Sequence, residues 1–187
     1  MSKKQWSMYI MFAVLLVGGF VLLTRTASDK RFNEQLGRGL KAIDKGDTKT
    51  AELETRKAIR LRPDSGEGHF VLGTIYLSLK KAGPARKELE TAIESDPDSA
   101  DNYYYLSFVH FNLLKQKEKA VTLMSKAIKI DPRNYQYRIT QGVYLARLGR
   151  NTEAIRQYEV ATRLAPTIPG IKKKLAALRA KVAAGRR

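Results

Sequence analysis

Gly66–Ser99, GEGHFVLGTIYLSLKKAGPARKELETAIESDPDS, sets the pattern on which the rest of the chain is built. It ends on Asp96-Pro97-Asp98-Ser99. The proline lacks a backbone donor and cannot continue a helix, and Asp98 or Ser99 offers an oxygen to cap the next one. The same closing proline recurs at Pro63, Pro132 and Pro166, so the four are spaced 34, 35 and 34 residues apart. Small residues keep that beat at Gly39, Gly73, Ser107 and Gly142. Alanines keep it at Ala51, Ala85, Ala120 and Ala154, and again at Ala58, Ala92, Ala127 and Ala161. A period near 34 residues with this composition predicts helical hairpins that stack to bury a shared core. Two antiparallel helices cross closely only where small side chains occupy the contact, which sets Gly73 against Ala85 and Ala92.

Within Gly66–Ser99, Leu72, Gly73, Tyr76, Ala85, Leu89, Ala92 and Pro97 fall at places 7, 8, 11, 20, 24, 27 and 32. This resembles the tetratricopeptide repeat family, whose pattern has leucine, glycine, tyrosine, alanine, a large apolar residue, alanine and proline there. The resemblance covers residue 32 to the end. It implies an all-α, right-handed superhelix of four hairpins, residues 32–65, 66–99, 100–134 and 135–166, with residues 167–187 as a basic capping helix and tail. The third repeat carries one extra residue, expected in the Leu114 to Glu118 turn. The first is degenerate, with Arg38 in place of the leucine, as suits a terminal repeat whose outer face meets no neighbour. The capping helix shows Ile171, Leu175, Leu178 and Val182 at helical spacing, and Lys172 to Lys174, Arg179 and Lys181 in the other directions.

The family resemblance also implies a concave groove lined by the first helix of each repeat. Its places 2, 5, 9, 12 and 13 map to Glu67, Phe70, Thr74, Leu77 and Ser78 in the second repeat. They map to Asp101, Tyr104, Phe108, Phe111 and Asn112 in the third, and to Gln136, Ile139, Val143, Ala146 and Arg147 in the fourth. Apart from Asn112, the Lys-Asn-Asn set with which some members grip a C-terminal carboxylate is absent. What remains is an aromatic and aliphatic cradle suited to a helix or extended segment of a protein partner. The competing reading packs these side chains within the superhelix itself.

Ahead of the repeats, Met8 to Leu23 runs without a charge or an amide, through Phe12, Leu16 and Phe20. With Trp6, Ser7 and Thr24 it makes a segment at residues 6–24 that is ~28 Å long as a helix, enough to span a hydrocarbon core. Residues 1–5 form a short tail with Lys3 and Lys4, and Trp6 stands where an interfacial aromatic belongs. A cleaved signal peptide fits the basic start and apolar run, but Arg25 stands two places before Ala27, where cleavage wants a small residue. An uncleaved single-pass anchor is the expectation. The lysines before it keep the N-terminus in the cytoplasm and export the repeats, placing them on the periplasmic side of a bacterial inner membrane. Arg25, Lys30, Arg31, Arg38 and Lys41 argue for the opposite side, a cytosol-facing docking receptor. Residues 25–31 read as a linker too short to let the repeats leave the bilayer surface.

Thirty-five Lys and Arg against 18 Asp and Glu give a net charge of +17, which calls for an acidic protein partner, an anionic lipid surface or nucleic acid. Nucleic acid is disfavoured, because the groove places are apolar rather than hydrogen-bonding pairs. The absence of cysteine excludes disulfides, thiolate zinc sites and thiol catalysis. No N-x-Ser/Thr sequon marks a glycosylated ectodomain. His69 and His110 lie in different repeats, and each reads as a satisfied or half-exposed histidine rather than a metal ligand. Glu52, Glu54, Glu88, Glu90 and Glu94 alternate with Lys and Arg as a solvated helix face would. No cofactor and no catalytic residue is expected. The chain reads as an adaptor, an assembly factor or accessory subunit of a bacterial inner-membrane complex.

Overall fold

The computed structural model describes residues 27–184, and among them every regular element is a helix. The predicted anchor, Trp6, Met8, Phe12, Leu16, Phe20 and Leu23, lies outside the described residues. Among the described residues, no helix is long and apolar enough to cross a membrane. The chain divides into two compact units, Met1–Gly68 and His69–Arg187.

In the first unit, α1 covers residues 27–44 and α2 spans Thr48–Leu61. Residues 27–31, expected as a linker, are therefore the helical start of α1. Asp47 caps α2, its Oδ1 accepting from Thr50 N at 3.0 Å. Phe32, Leu36 and Ala42 of α1 are buried, as are Ala51, Thr55 and Ala58 of α2. The Arg62 guanidinium lies 4.5 Å from the centre of the Phe32 ring. Leu40, Ile43 and Leu53 stay exposed, Leu53 by 53%, so the first hairpin leaves apolar side chains uncovered.

The second unit is built from α3 (Gly66–Ser78), whose first turn lies before the division, and α4 (Ala82–Ser95). Next in order come α5 (Ala100–Phe108), α6 (Lys117–Ile130), α7 (Tyr135–Arg147), α8 (Asn151–Leu164) and α9 (Pro169–Ala184). The closing prolines Pro97, Pro132 and Pro166 stand exposed in the breaks between α4 and α5, α6 and α7, and α8 and α9. Ser99 occupies the N-cap of α5 without a side-chain bond, and Asp96 Oδ1 accepts from Asp98 N at 3.2 Å. The alanines of the repeat pattern, Ala85, Ala92, Ala120, Ala127, Ala154 and Ala161, are fully buried. Ile171 and Leu178 of α9 are buried in the same core as α7 and α8, with Leu175 half-covered, so α9 caps the stack as expected.

The close approach within each hairpin differs from the expectation. A Cβ on Gly73 would lie 2.7 Å from Leu89 Cγ, nearer than any atom of Ala85 or Ala92. A Cβ on Gly142 would lie 2.8 Å from Tyr158 Cε1, and one on Gly39 2.6 Å from Thr55 Oγ1. Each glycine is thus paired with the residue 16 positions on, the large apolar place of the pattern or its Thr55 equivalent. The glycine makes room for that side chain. The alanines lie in the floor of the core, fully buried.

The extra residue of the third repeat also sits elsewhere than expected. Beyond Phe108 the first helix widens into a π-helix, Val109–Leu113. There Leu114 N donates to Val109 O at 3.0 Å, skipping one residue relative to an α-helix. The turns confirm the position. Gly46, Lys80 and Gly149 have positive φ (73°, 58° and 79°) and stand at place 15 of their repeats, whereas Lys115 (59°) stands at place 16 of the third. The added residue has therefore been absorbed before the turn is reached.

Candidate functional site

The first helices of three successive hairpins, α3, α5 and α7, are joined by a chain of aromatic rings. Phe70 meets Tyr105 edge-on with centroids 5.2 Å apart, and Tyr105 meets Tyr104 at 5.2 Å. Tyr104 reaches Phe108 at 5.0 Å along α5 and Tyr137 of α7 at 5.0 Å. Phe108 in turn approaches Tyr144 at 6.1 Å. Edge-to-face contacts of this kind add ~0.5–1.5 kcal/mol per pair beyond the area they bury, so the rings hold one another in place.

Their two ends are rooted differently. Tyr137 and Tyr144 are buried. Tyr137 donates its hydroxyl to Asp101 Oδ1 at 2.6 Å, and burial together with that bond raises its pKa well above the usual tyrosine value. Burial likewise pushes Tyr144 up to about 12, against the opposing bond with Ser107, whose Oγ lies 3.5 Å from the phenol oxygen. Both stay neutral phenols near pH 7. Phe70, Tyr104, Tyr105 and Phe108 are only half-buried.

Of the groove residues expected from the family, Phe70, Thr74, Leu77, Tyr104, Phe108, Ile139 and Val143 are all half-buried on these three helices. Tyr104, Ile139 and Val143 pack against the core on one side. Thr74 turns its hydroxyl back to Val71 O at 2.8 Å. Asn112 is exposed, but its side-chain amide donates to Phe108 O at 3.2 Å and so is tied to its own helix.

Phe111 is a correction. It is 3% exposed and stacks flat on Tyr144, centroids 3.9 Å apart at 8°, so it belongs to the core and not to the groove. The π-turn is the cause. By absorbing one residue it carries Phe111 into the inward place held by Tyr76 and Leu145 in the neighbouring repeats, both of which are buried. Tyr105 is the residue that reading by places missed. It lies outside the five groove places, and only the contact from Phe70 reveals it as the link between α3 and α5.

Among the polar residues, His110, Glu54 and Glu88 depart from expectation, whereas His69 does not. His110 is fully buried in the π-helix. Its Nδ1 meets Gln116 Oε1 at 2.7 Å, which assigns the proton to Nδ1, and its buried Nε2 has no partner. Burial holds its pKa below the ordinary histidine value, the Gln116 bond opposing. His69 is half-buried, with Nδ1 2.6 Å from Glu88 Oε2. Glu88 and the buried Glu54, which accepts from Lys57 Nζ at 2.5 Å, are thus not part of a solvated face. Among the described residues no group of three or more His, Asp or Glu side chains could hold a metal ion.

Several solved structures share this architecture. The structure resembles the one titled "Functional Characterization of Pseudomonas Aeruginosa pilF", with a TM-score of 0.76 at 21% identity over 84% of this chain and 72% of that one. It resembles MamA with a TM-score of 0.71 at 22% identity, over 78% and 84% of the two chains. It resembles YrrB, described as a TPR protein with an unusual peptide-binding site, with a TM-score of 0.66 at 19% identity over 80% and 76%. Among curated proteins none matches by sequence. At these identities the likenesses establish the fold. The sequence profile described as "Tetratricopeptide repeat" matches residues 36–100 and 114–169, leaving out the π-helix that interrupts the period. With four hairpins in phase and more than half its length matched, the chain belongs to the tetratricopeptide repeat family.

Proposed function

We propose that the chain is a membrane-anchored adaptor that holds a segment of a partner protein close to the bilayer and performs no reaction of its own. The observation that carries this reading is the half-exposed ring chain Phe70–Tyr105–Tyr104–Phe108 on α3 and α5. Its outer faces remain for a guest, and each aromatic group that a partner covers would contribute ~1.5–3 kcal/mol. The guest is a helix or extended segment with apolar anchors. The peptide-binding site named for YrrB, a protein of the same fold, supports the class of partner. The segment at residues 6–24 supplies the anchor and makes the chain an assembly factor or accessory subunit of a bacterial inner-membrane complex, with its repeats in the periplasm. Exposed Lys172, Lys173, Lys174 and Arg179 on α9 favour a second contact with anionic lipid heads or an acidic protein.

Affinity purification of the full chain in mild detergent tests the groove. Phe70→Ala with Phe108→Ala should remove the co-purifying partner while circular dichroism stays helical, and retention of the same partner would discard the reading. The basic residues on the C-terminal side of the anchor favour a second orientation, with the repeats as a cytosolic docking receptor. Protease added to spheroplasts decides between them, since only periplasmic repeats are cut.

A further inference from the structure

In the second and fourth repeats the fourth and twenty-third places face one another across the hairpin, and they are filled by different chemistry. In the second, the His69 ring has a carboxylate opposite it, Glu88 Oε2 at 2.6 Å. In the fourth, a permanently charged guanidinium on α7 has only an amide opposite it, Arg138 Nη1 donating to Gln157 Oε1 at 3.2 Å. Arg138 Nε is buried and has no partner. The nearby acid is committed elsewhere, since Arg150 Nε and Nη2 hold Glu153 Oε1 and Oε2, each at 2.7 Å. Arg150 also takes Glu118 at 3.1 Å. Among the described residues no carboxylate pairs with Arg138, and burial lowers its pKa with no opposing acid. A buried donor on a cation, left without an acceptor, is costly unless something supplies one.

There is room for that something. Arg138 and Gln157 line a cleft of about 330 Å³ between α6, α7 and α8. This is at the lower end of the size of ligand sites, ~300–1,000 Å³. Val121, Ile128 and Leu145 supply apolar lining, Ser125 and Gln141 line it bonded to each other at 2.7 Å, and the Arg150–Glu153 pair lines it as well. The cleft shares no lining residue with the aromatic groove, so it stands or falls independently of the adaptor reading.

We propose that this cleft binds a carboxylate, which the Arg138 fork receives beside Gln157, with a short apolar tail lying along Val121, Ile128 and Leu145. The carboxylate comes either from a free small acid or from an acidic side chain of a partner protein. A guanidinium takes a carboxylate through two parallel N–H donors, a geometry that neither chloride nor a lysine reproduces.

The test is titration of the full chain with acetate, hexanoate, glutarate, inorganic phosphate and a short Glu-rich peptide, tracking the Arg138 Nε–H signal by NMR. Saturable shifts with hexanoate or glutarate identify a free acid, and saturation by the peptide alone identifies a protein side chain. Either supports the site if Arg138→Gln weakens binding by about tenfold or more. Gln157→Glu supplies the missing carboxylate from within, so it should displace the ligand and raise the melting temperature, a result that does not depend on a destabilised variant. No saturation by any carboxylate, binding by phosphate alone, or unchanged binding in Gln157→Glu would each overturn the proposal.

Discussion

The second and third hairpins occupy the same places of one pattern and solve the same packing problem in different ways. In the second, Gly73 yields its side-chain volume to Leu89, and α3 runs as an uninterrupted helix to Ser78. In the third, Ser107 stands where Gly73 does, fully buried, with Oγ donating to Tyr104 O at 2.6 Å, and α5 passes into a π-turn. The added residue rotates the remainder of that helix and carries Phe111 into the core, while His110 holds an inward place with or without it. One insertion has therefore taken an aromatic ring out of the groove and set it beside a buried histidine with a spare lone pair. A repeat tolerates an extra residue inside its helix if the core can take up the displaced side chain.

The largest effect that could break this contrast is at Gly73. Gly73→Ser copies the third repeat into the second, but the new Cβ meets Leu89 Cγ at 2.7 Å, and the overpacking should lower the unfolding free energy by about 1–3 kcal/mol. Urea denaturation monitored by circular dichroism reads it. An unchanged midpoint would show that the glycine does not set the helix approach.

Next comes His110. Arg86 and Glu90 of α4 and Lys119 of α6 act on it electrostatically, the two cations lowering its pKa and Glu90 raising it, and a proton on Nε2 would find no acceptor. With the folded pKa below 6.5, the unfolded chain binds the proton first. The stability is thus complete above pH ~6.5 and falls as the pH drops toward the depressed folded value, by at most ~1.4 kcal/mol per pH unit from this group. Denaturation midpoints between pH 7.5 and 5 should fall more steeply for the parent than for His110→Leu. Parallel profiles would mean that the ring finds a partner when charged.

The reverse exchange, Ser107→Gly, removes only one hydroxyl and adds backbone freedom. It should cost about 0.5–1 kcal/mol, less than its counterpart at Gly73 in the same urea assay. The smallest effect belongs to the His69–Glu88 pair, which the third repeat lacks. Glu88→Gln should cost about 1 kcal/mol or less, and a double-mutant cycle with His69→Gln isolates the coupling.

Periodicity carried the fold because it records what hairpins need in order to stack. Alanines at Ala85 and Ala92 and a proline at Pro97 are demanded wherever the unit repeats, so each row of the sequence repeats the signal. The identity of the partner across the hairpin was not legible in that way. Gly73 has alanines and Leu89 at equally plausible spacings, and only the crossing geometry selects Leu89. The extra residue was visible as a count, 35 between Pro97 and Pro132, but a count does not say where the backbone absorbs it. Placing it in the turn left Phe111 one residue out of phase and therefore in the groove. Phe70, Tyr104 and Phe108 keep their expected phase because they precede the insertion or belong to a repeat without one. The Arg138 cleft was invisible, since its meaning lies in what stands across from it on another helix.

The four hairpin tips close with one residue in left-handed backbone, and only two of them use the residue type suited to it. Gly46 and Gly149 adopt it freely, whereas Lys80 and Lys115 hold it with a side chain attached, at roughly 1–2 kcal/mol each. Both lysines are exposed. The natural sequence consequently lies below the heat tolerance that its own pattern permits, and glycine at these two tips is the simplest route to a hardier version of the protein.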